Sequence, residues 1–529
     1  MTDPSAGAPP APELDEPDAE PRARISARSV AVWSARASGG IVGVAIAVVV
    51  AIAALFVTPP SWSVAPPVVV VQPEPATQVL VCPGPLLRLA DDSGQNASQA
   101  TPVGTAPQVD FLAESGRLTT SAIAQSDAGI GGSSLAPRLG LVVPVDGEAP
   151  VVAGVQSSRI PANQGGGIVG YAATSCEQPA LRSWIIGGST QLGRTSILTI
   201  VNPSSVEAVV DLDLRGQLGA IDAVGLTGIV VPAGSQRVVP VSGFSLEQRA
   251  PVIGVRSTGG NVAVFLQQSI IRTLTPGGVD LIGAQDPSPA LVIPGIAVAG
   301  ETALAGINTT PADQDDTMPT LRLFAPSGRA TTATVALVPT GSTLADALGN
   351  PRTVEASAPT DAHADAQPTE PEAESFTVEL AAGAVSETPI ERVAPGDYTI
   401  VVTASEPLVG AVRASVATPA GTDFAWYSPA GALGDRAALP APRAPQVVLA
   451  LANPTAEDRS VTLAGPDGDA VVKVPAGETV LTELEPGEDY SLSGIAGLRA
   501  AVRAGGDGFV AQFPLQPPAA LAKPVRVHV

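Results

Sequence analysis

Beyond residue 77 the chain has no stretch with the i, i+3, i+4 apolar spacing of a helix. Its apolar residues come in short runs rich in Val, Ile and Thr, cut by many of its 54 glycines and 53 prolines. β-Branched side chains suit the pleated surface of a sheet, and Gly, Pro, Asn and Asp supply the turns between strands. The spacing therefore predicts a mainly β protein.

The runs also recur in a fixed order. Leu198-Thr-Ile-Val-Asn202-Pro203 returns as Leu449-Ala-Leu-Ala-Asn453-Pro454, and in degenerate form as Leu321-Arg-Leu-Phe-Ala-Pro326. Val231-Pro-Ala-Gly234 returns as Val474-Pro-Ala-Gly477, and Pro395-Gly-Asp-Tyr398 as Pro486-Gly-Glu-Asp-Tyr490. Gly254-Val-Arg256, Ala411-Val-Arg413 and Ala501-Val-Arg503 align as one position, with Gly154-Val-Gln156 as an earlier version. Short strands with closely spaced turns predict tandem immunoglobulin- or fibronectin-like β-sandwich repeats, with Tyr398 and Tyr490 bonding back across a strand corner. A β-propeller is the alternative, although the marks at Pro203, Pro326 and Pro454 lie too far apart for single blades.

The N-terminal part differs. Residues 1–36 read as a disordered cytoplasmic tail ending in Arg22, Arg24, Arg28 and Arg36, and no charged residue follows until after Gln72. Residues 37–57 are long and apolar enough for one transmembrane helix. Trp33 and Trp62 flank it, and Pro59 and Pro60 end it. The arginines place the N-terminus in the cytoplasm and the remainder outside the cell membrane. A cleaved signal peptide is the alternative, but its one small-x-small site, Ser63-Val-Ala65, runs into Pro66. Residues 58–77 then form a Pro-rich spacer. The expected β domains are 78–180, 181–290, 291–440 with a disordered insertion at 351–375, and 441–529. In an exported chain Cys82 and Cys176 pair as a disulfide more readily than they stay free, and the bond would close the first domain as a unit separate from the others.

Composition removes several activities. A net charge of −22 argues against nucleic-acid binding. The two histidines, His363 and His528, sit in an acidic Pro-rich tract and beside the terminus, and two cysteines cannot build a Cys-rich zinc site. Asp91-Asp92, Asp313-Gln-Asp315-Asp316 and Asp467-Gly-Asp469 lack the spacing of a calcium loop and read as solvated turns. The expectation is no catalytic residue, no metal and no cofactor.

The segment Cys176-Glu-Gln-Pro179, Trp184-Ile-Ile-Gly187-Gly188-Ser-Thr190, Gly193-Arg194 and the Asn202-Pro203 strand, with Asp423-Phe-Ala-Trp426 and the Asn453-Pro454 strand, resembles an uncharacterised actinobacterial family of single-pass, exported cell-envelope proteins, known only as a domain of unknown function. The resemblance implies an envelope location and points toward glycan or cell-wall biology. Trp184 and Trp426 are the candidate stacking residues, although packing beside the disulfide is the preferred role for Trp184. Arg256, Arg413 and Arg503 are the candidate polar contacts, with a solvated strand face or a partnership with nearby carboxylates preferred for them. The expected function is a membrane-anchored extracellular scaffold or binding protein of the envelope, without catalysis. Its expected partner is an envelope protein or cell-wall glycan, and a carbohydrate-binding or glycan-assembly accessory is the alternative.

Overall fold

A computed structural model describes residues 68–71, 75–89, 100–162, 167–272, 274–307, 316–352, 368–418, 421–517 and 525–528. The expected tail and span at 1–57 and most of the insertion, 353–367, lie outside them. Among the described residues no helix is long and apolar enough to cross a membrane. The chain divides into two compact units, 1–70 with 526–529, and 71–525; all that follows concerns the second.

That unit is mainly β, and one strand order recurs in it. In the C-terminal part eight strands run in sequence: Arg436–Pro440, Gln446–Ala452, Arg459–Gly465, Gly468–Val474, Thr479–Leu484, Asp489–Ser493, Arg499–Gly506 and Phe509–Pro514. The first, sixth, third and fourth form one antiparallel sheet, and the fifth, second, seventh and eighth form the other. One apolar core, including Leu449, Val461, Leu492 and Val502, is shared by the two. The same order holds from Ser288–Val298 to Gly421–Tyr427. There the sixth and seventh strands are fused into Gly396–Thr418, which leaves one sheet and enters the other. It holds again from Arg182–Ile186 to Thr275–Ile282.

The first copy is reduced. Gln78–Cys82, Arg138–Val143 and Arg117–Ala122 form one sheet, and Gln108–Ala113, Val152–Ile160 and Gly170–Ser175 the other. It has no counterparts of the fourth and fifth strands among the described residues; Gln125–Ser126 instead pairs in parallel with Ser235–Gln236 of the second copy. The Cys82–Cys176 disulfide joins the end of its first strand to the residue after its last.

The repeated sequence marks have a physical cause. The Asn202 side chain donates to the carbonyls of Val206, Val231 and Pro232 and accepts from the Ser204 amide and hydroxyl. Asn453 does the same with Glu457, Val474, Pro475 and Thr455. One buried carboxamide thus pins the turn after the second strand to the Val-Pro turn before the fifth, satisfying backbone groups that water cannot reach. Tyr490 accepts at its hydroxyl from the Glu485 amide at 2.8 Å, and Tyr398 donates to Ala394 O at 2.9 Å.

Two expectations need correction. Strand Arg436–Pro440 pairs with Asp489–Ser493, so a boundary between 440 and 441 severs the last copy from its first strand. Arg256 does not share a position with Arg413 and Arg503. It lies on a sixth strand, whereas they lie on seventh strands opposite Thr320 and Val448. The matching residue of the second copy is Gln267, opposite Ile197. The apolar-Val-Arg triplet is too short to distinguish two neighbouring strands of similar composition.

The copies also share cores. Val81, Ile123 and Ala136 of the first pack with Val201, Ala263 and Phe265 of the second. Phe324, Phe424 and Trp426 of the third enter the core of the second, and Val510 of the fourth enters that of the third. Val155, Tyr171 and Ala173 of the first join the core of the fourth. The packing closes on itself. The four last strands, Gly170–Ser175, Thr275–Ile282, Gly421–Tyr427 and Phe509–Pro514, meet in that cyclic order, each against two neighbours.

Candidate functional site

At the meeting of the four last strands lies Asp423. Its carboxylate accepts from the amides of Tyr171 and Val279, both at 3.0 Å, from its neighbour Phe424 at 3.0 Å, and from Val510 at 3.4 Å. Those donors come from all four copies. Burial pushes its acidity well below that of an ordinary carboxyl, raising the pKa, while the amides of Tyr171, Val279 and Phe424 oppose the shift. Asp280, also buried, accepts from the amides of Trp426 at 2.7 Å and Leu281 at 2.9 Å. Gly278 adopts φ +116°, and a Cβ there would collide with Asp423.

Two further clusters lie between the second and third copies. Arg322, fully buried, donates to Glu387 at 2.6 Å and 2.8 Å and to the carbonyls of Gly188, Pro251 and Arg249, with its guanidinium 4.4 Å from the Trp426 ring centre. Asp316 meets Arg194 and Arg413 at 2.9 Å and Arg272 at 2.8 Å. Its burial alone would raise the pKa, but Arg413, Arg272 and Arg194 together hold the carboxyl below its usual range. The expectation of a solvated turn fails for Asp316, which is a buried counter-ion; Asp313 and Asp315 lie outside the described residues.

These clusters decide the roles of the candidate residues. Trp426 is 1% exposed and donates from Nε1 to Gln268 at 2.6 Å, so no ligand stacks on it. Trp184 is half-buried, with its ring 5.2 Å from that of Phe324. It packs there rather than on the disulfide, whose aromatic neighbour is Phe111. A Cβ at Gly187 would collide with Ile282 and touch the Trp426 ring, and Gly188 presents its carbonyl to Arg322. The close backbone approach that Gly187-Gly188 permits is therefore internal. Arg413 is buried on Asp316, Arg503 bonds Asp397 and Gly295 O, and Arg256 is exposed. They form no common stripe.

The surface concavity worth a functional reading lies elsewhere. Residues of all four copies line a cleft of about 620 Å³, including Glu177, Gln285, Asp286, Arg499, Gln512 and Gln516. One part of its wall is Glu177-Gln-Pro179, held by the adjoining Cys176 disulfide and by reciprocal backbone bonds between Glu177 and Val81. Gln178 borders this cleft and two others, one of about 480 Å³ bounded by Pro75, Pro150 and Pro203. The Glu177 carboxyl accepts from Gln516 at 3.1 Å and 3.3 Å. Burial, with Asp286 adding to it, pushes its pKa up to about 8. Arg499 is half-buried, donates to the carbonyls of Gly497 and Leu498, and makes no ion pair among the described residues. Burial lowers its pKa with no carboxylate to offset the effect. Gln285 accepts from the Gly410 amide at 2.9 Å, while its buried Nε2 has no partner. No group of at least three His, Cys, Asp or Glu among the described residues is arranged to hold a metal.

No curated protein and no solved structure matches the chain. A family model described as a family of unknown function matches residues 133–369 and 353–484. Those segments span well over half of the 529 residues, and the chain belongs to that family, DUF5719.

Proposed function

We propose that the chain is a membrane-anchored extracellular binding protein of the cell envelope, in which tandem immunoglobulin- or fibronectin-like sandwiches stand outside a span at 37–57. The observation that carries this reading is the cleft of about 620 Å³, lined from four copies and walled by a disulfide-held segment. Its volume falls within the usual range of ligand sites. A disulfide suits an oxidising compartment, and the charge-free stretch after four arginines supplies the anchor. Paired sheets around one core, with tyrosines bonded across a corner, support sandwiches over a propeller, whose blades are single sheets. Binding without turnover fits Glu177, whose carboxyl oxygens both accept from Gln516. The glycan-stacking form of the reading loses its platforms, because Trp184 packs on Phe324 and Trp426 is buried.

A photo-cross-linking residue placed at Asp286 on the cleft, and another at Val471, which is 67% exposed in the last copy, test this in intact cells. An envelope adduct from position 286 that is absent from 471 is expected. No adduct at 286, or equal adducts at both, contradicts it.

A further inference from the structure

The first strand of the first copy, Gln78–Cys82, is an edge strand: its sheet runs on through Arg138–Val143 and ends at Arg117–Ala122. Successive residues of a strand turn their N–H and C=O groups to opposite sides, so one known bond fixes the phase of the rest. Ile123 donates to Pro137 O, in register with the pairing of Ala122 and Arg138. The odd-numbered residues of the middle strand therefore bond Arg117–Ala122, and its even-numbered ones bond Gln78, Leu80 and Cys82. Val79 and Val81 are left facing outward. Val81 exchanges two bonds there with Glu177, at 2.9 Å and 2.8 Å.

The same register sets Val79 against Pro179, and the pairing fails at that point. Proline has no N–H to give, and the Pro179 carbonyl accepts from Asn261 Nδ2 at 3.4 Å. Among the described residues neither the N–H nor the C=O of Val79 has a partner. One residue further on, Ala180 exchanges bonds with Val262 of the second copy, at 2.9 Å and 3.1 Å. The segment thus leaves the edge of the first copy for that of the second. Val79 and Pro179 both line the groove of about 480 Å³ at this fork.

The lining narrows the choice of occupant. No charged or aromatic residue contributes to it, in a chain of net charge −22. Pro150, Pro203 and Val206, the last 54% exposed, supply apolar wall. Gln78 Nε2 is spent on Pro150 O at 3.3 Å, and the Ser204 hydroxyl on Asn202 at 2.7 Å. An alkyl chain would fill such a groove and leave both main-chain groups of Val79 without partners, at a cost. An added strand fills it and satisfies both.

We propose that this groove takes an extended, uncharged peptide segment of a partner protein, which pairs with Val79 as Glu177 pairs with Val81 and lays apolar side chains against Pro150, Pro203 and Val206. The site is separate from the cleft of about 620 Å³ and does not depend on the role proposed for it.

The test uses the full chain, one molecule per nanodisc, and three probes: the capped peptide acetyl-Thr-Val-Thr-Val-Thr-amide, the same peptide with every amide N-methylated, and octyl glucoside. Hydrogen exchange at the Val79 amide reads the contact. Saturation with the first peptide is expected to slow that exchange by about tenfold, and the methylated peptide to bind about tenfold more weakly, as the loss of one hydrogen bond requires. Val206→Glu, at an exposed loop position, should weaken the first peptide by about tenfold, because it sets a charge in apolar contact. Val471→Glu, on the last copy, should leave the affinity unchanged. Equal affinity for the two peptides, Val79 exchange unaltered at saturation, equal protection by octyl glucoside, or indifference to Val206→Glu overturns the inference. Protection of Val79 before any probe is added would show the groove filled by the chain itself and overturns it too. The cross-link from position 286 reports on the cleft alone, so its failure would remove that reading and leave this one standing.

Discussion

At Arg322 a guanidinium shielded from water satisfies two units at once, through Glu387 of the third copy and three carbonyls of the second. Truncating one partner of a buried pair strands the other charge. Arg322→Ala is therefore expected to lower stability by about 3–5 kcal/mol in denaturant unfolding, more than the loss of an exposed pair such as Arg329–Glu406. Glu177 makes a different prediction. Its pKa in the folded chain, about 8, lies above its ordinary value of 4.5, so folding takes up a proton. The stability it contributes is present in full below pH 4.5 and is lost as the pH rises through about 8. Melting temperature should fall by on the order of a few degrees between pH 6 and pH 9, and Glu177→Gln should flatten that fall. A slope unchanged in the variant would assign the titration to other groups.

At the scale of elements, the local chemistry was legible in the sequence and the pairing of neighbours was not. Strand type and the tyrosine corners depend on residues close in sequence, and the Asn-Pro and Val-Pro-Ala-Gly marks recur together because Asn202 and Asn453 bond the carbonyls of the Val-Pro turn further along the same copy. The alignment of Arg256 with Arg413 failed because three residues of one copy cannot distinguish its sixth strand from its seventh. The junction was hidden for a related reason: Arg322 and Asp423 sit in largely apolar strands as single charged residues whose partners lie far along the chain. The warning signal was a lone charge in an otherwise uncharged strand run, as in Thr320–Phe324, which the structure shows to be buried throughout. Nothing within the Cys-Glu-Gln-Pro segment signals that Glu177 is buried, because residues far along the chain cover it; one of them is Gly283, where a Cβ would collide with its carboxyl. Gly283→Ala should accordingly loosen the cleft wall, read as faster proteolysis near Gln178. Removing the disulfide with Cys82→Ser should cost about 4–5 kcal/mol by loop entropy, since it closes a loop with a separation of 94 residues.

For the whole molecule, the sequence predicted a disulfide-closed first domain separate from the others. The structure instead places Val155, Tyr171 and Ala173 in the core of the last copy and joins Glu114 to Arg436 at 2.6 Å. Cys82→Ser should then weaken the last copy as well as the first, and unfolding should follow one transition. The anchor reading is tested separately: protease added to wall-stripped cells should digest the chain beyond about residue 58 and spare the tail, and full protection of the β copies would reverse the orientation. The claim on which the closed arrangement depends is that one carboxylate, Asp423, joins all four copies. Native-state hydrogen exchange of Asp423→Ala against the parent chain measures it directly, through the amides of Tyr171, Val279, Phe424 and Val510. Accelerated exchange at all four is the predicted result. Acceleration confined to Phe424, with Tyr171, Val279 and Val510 as protected as before, would contradict it.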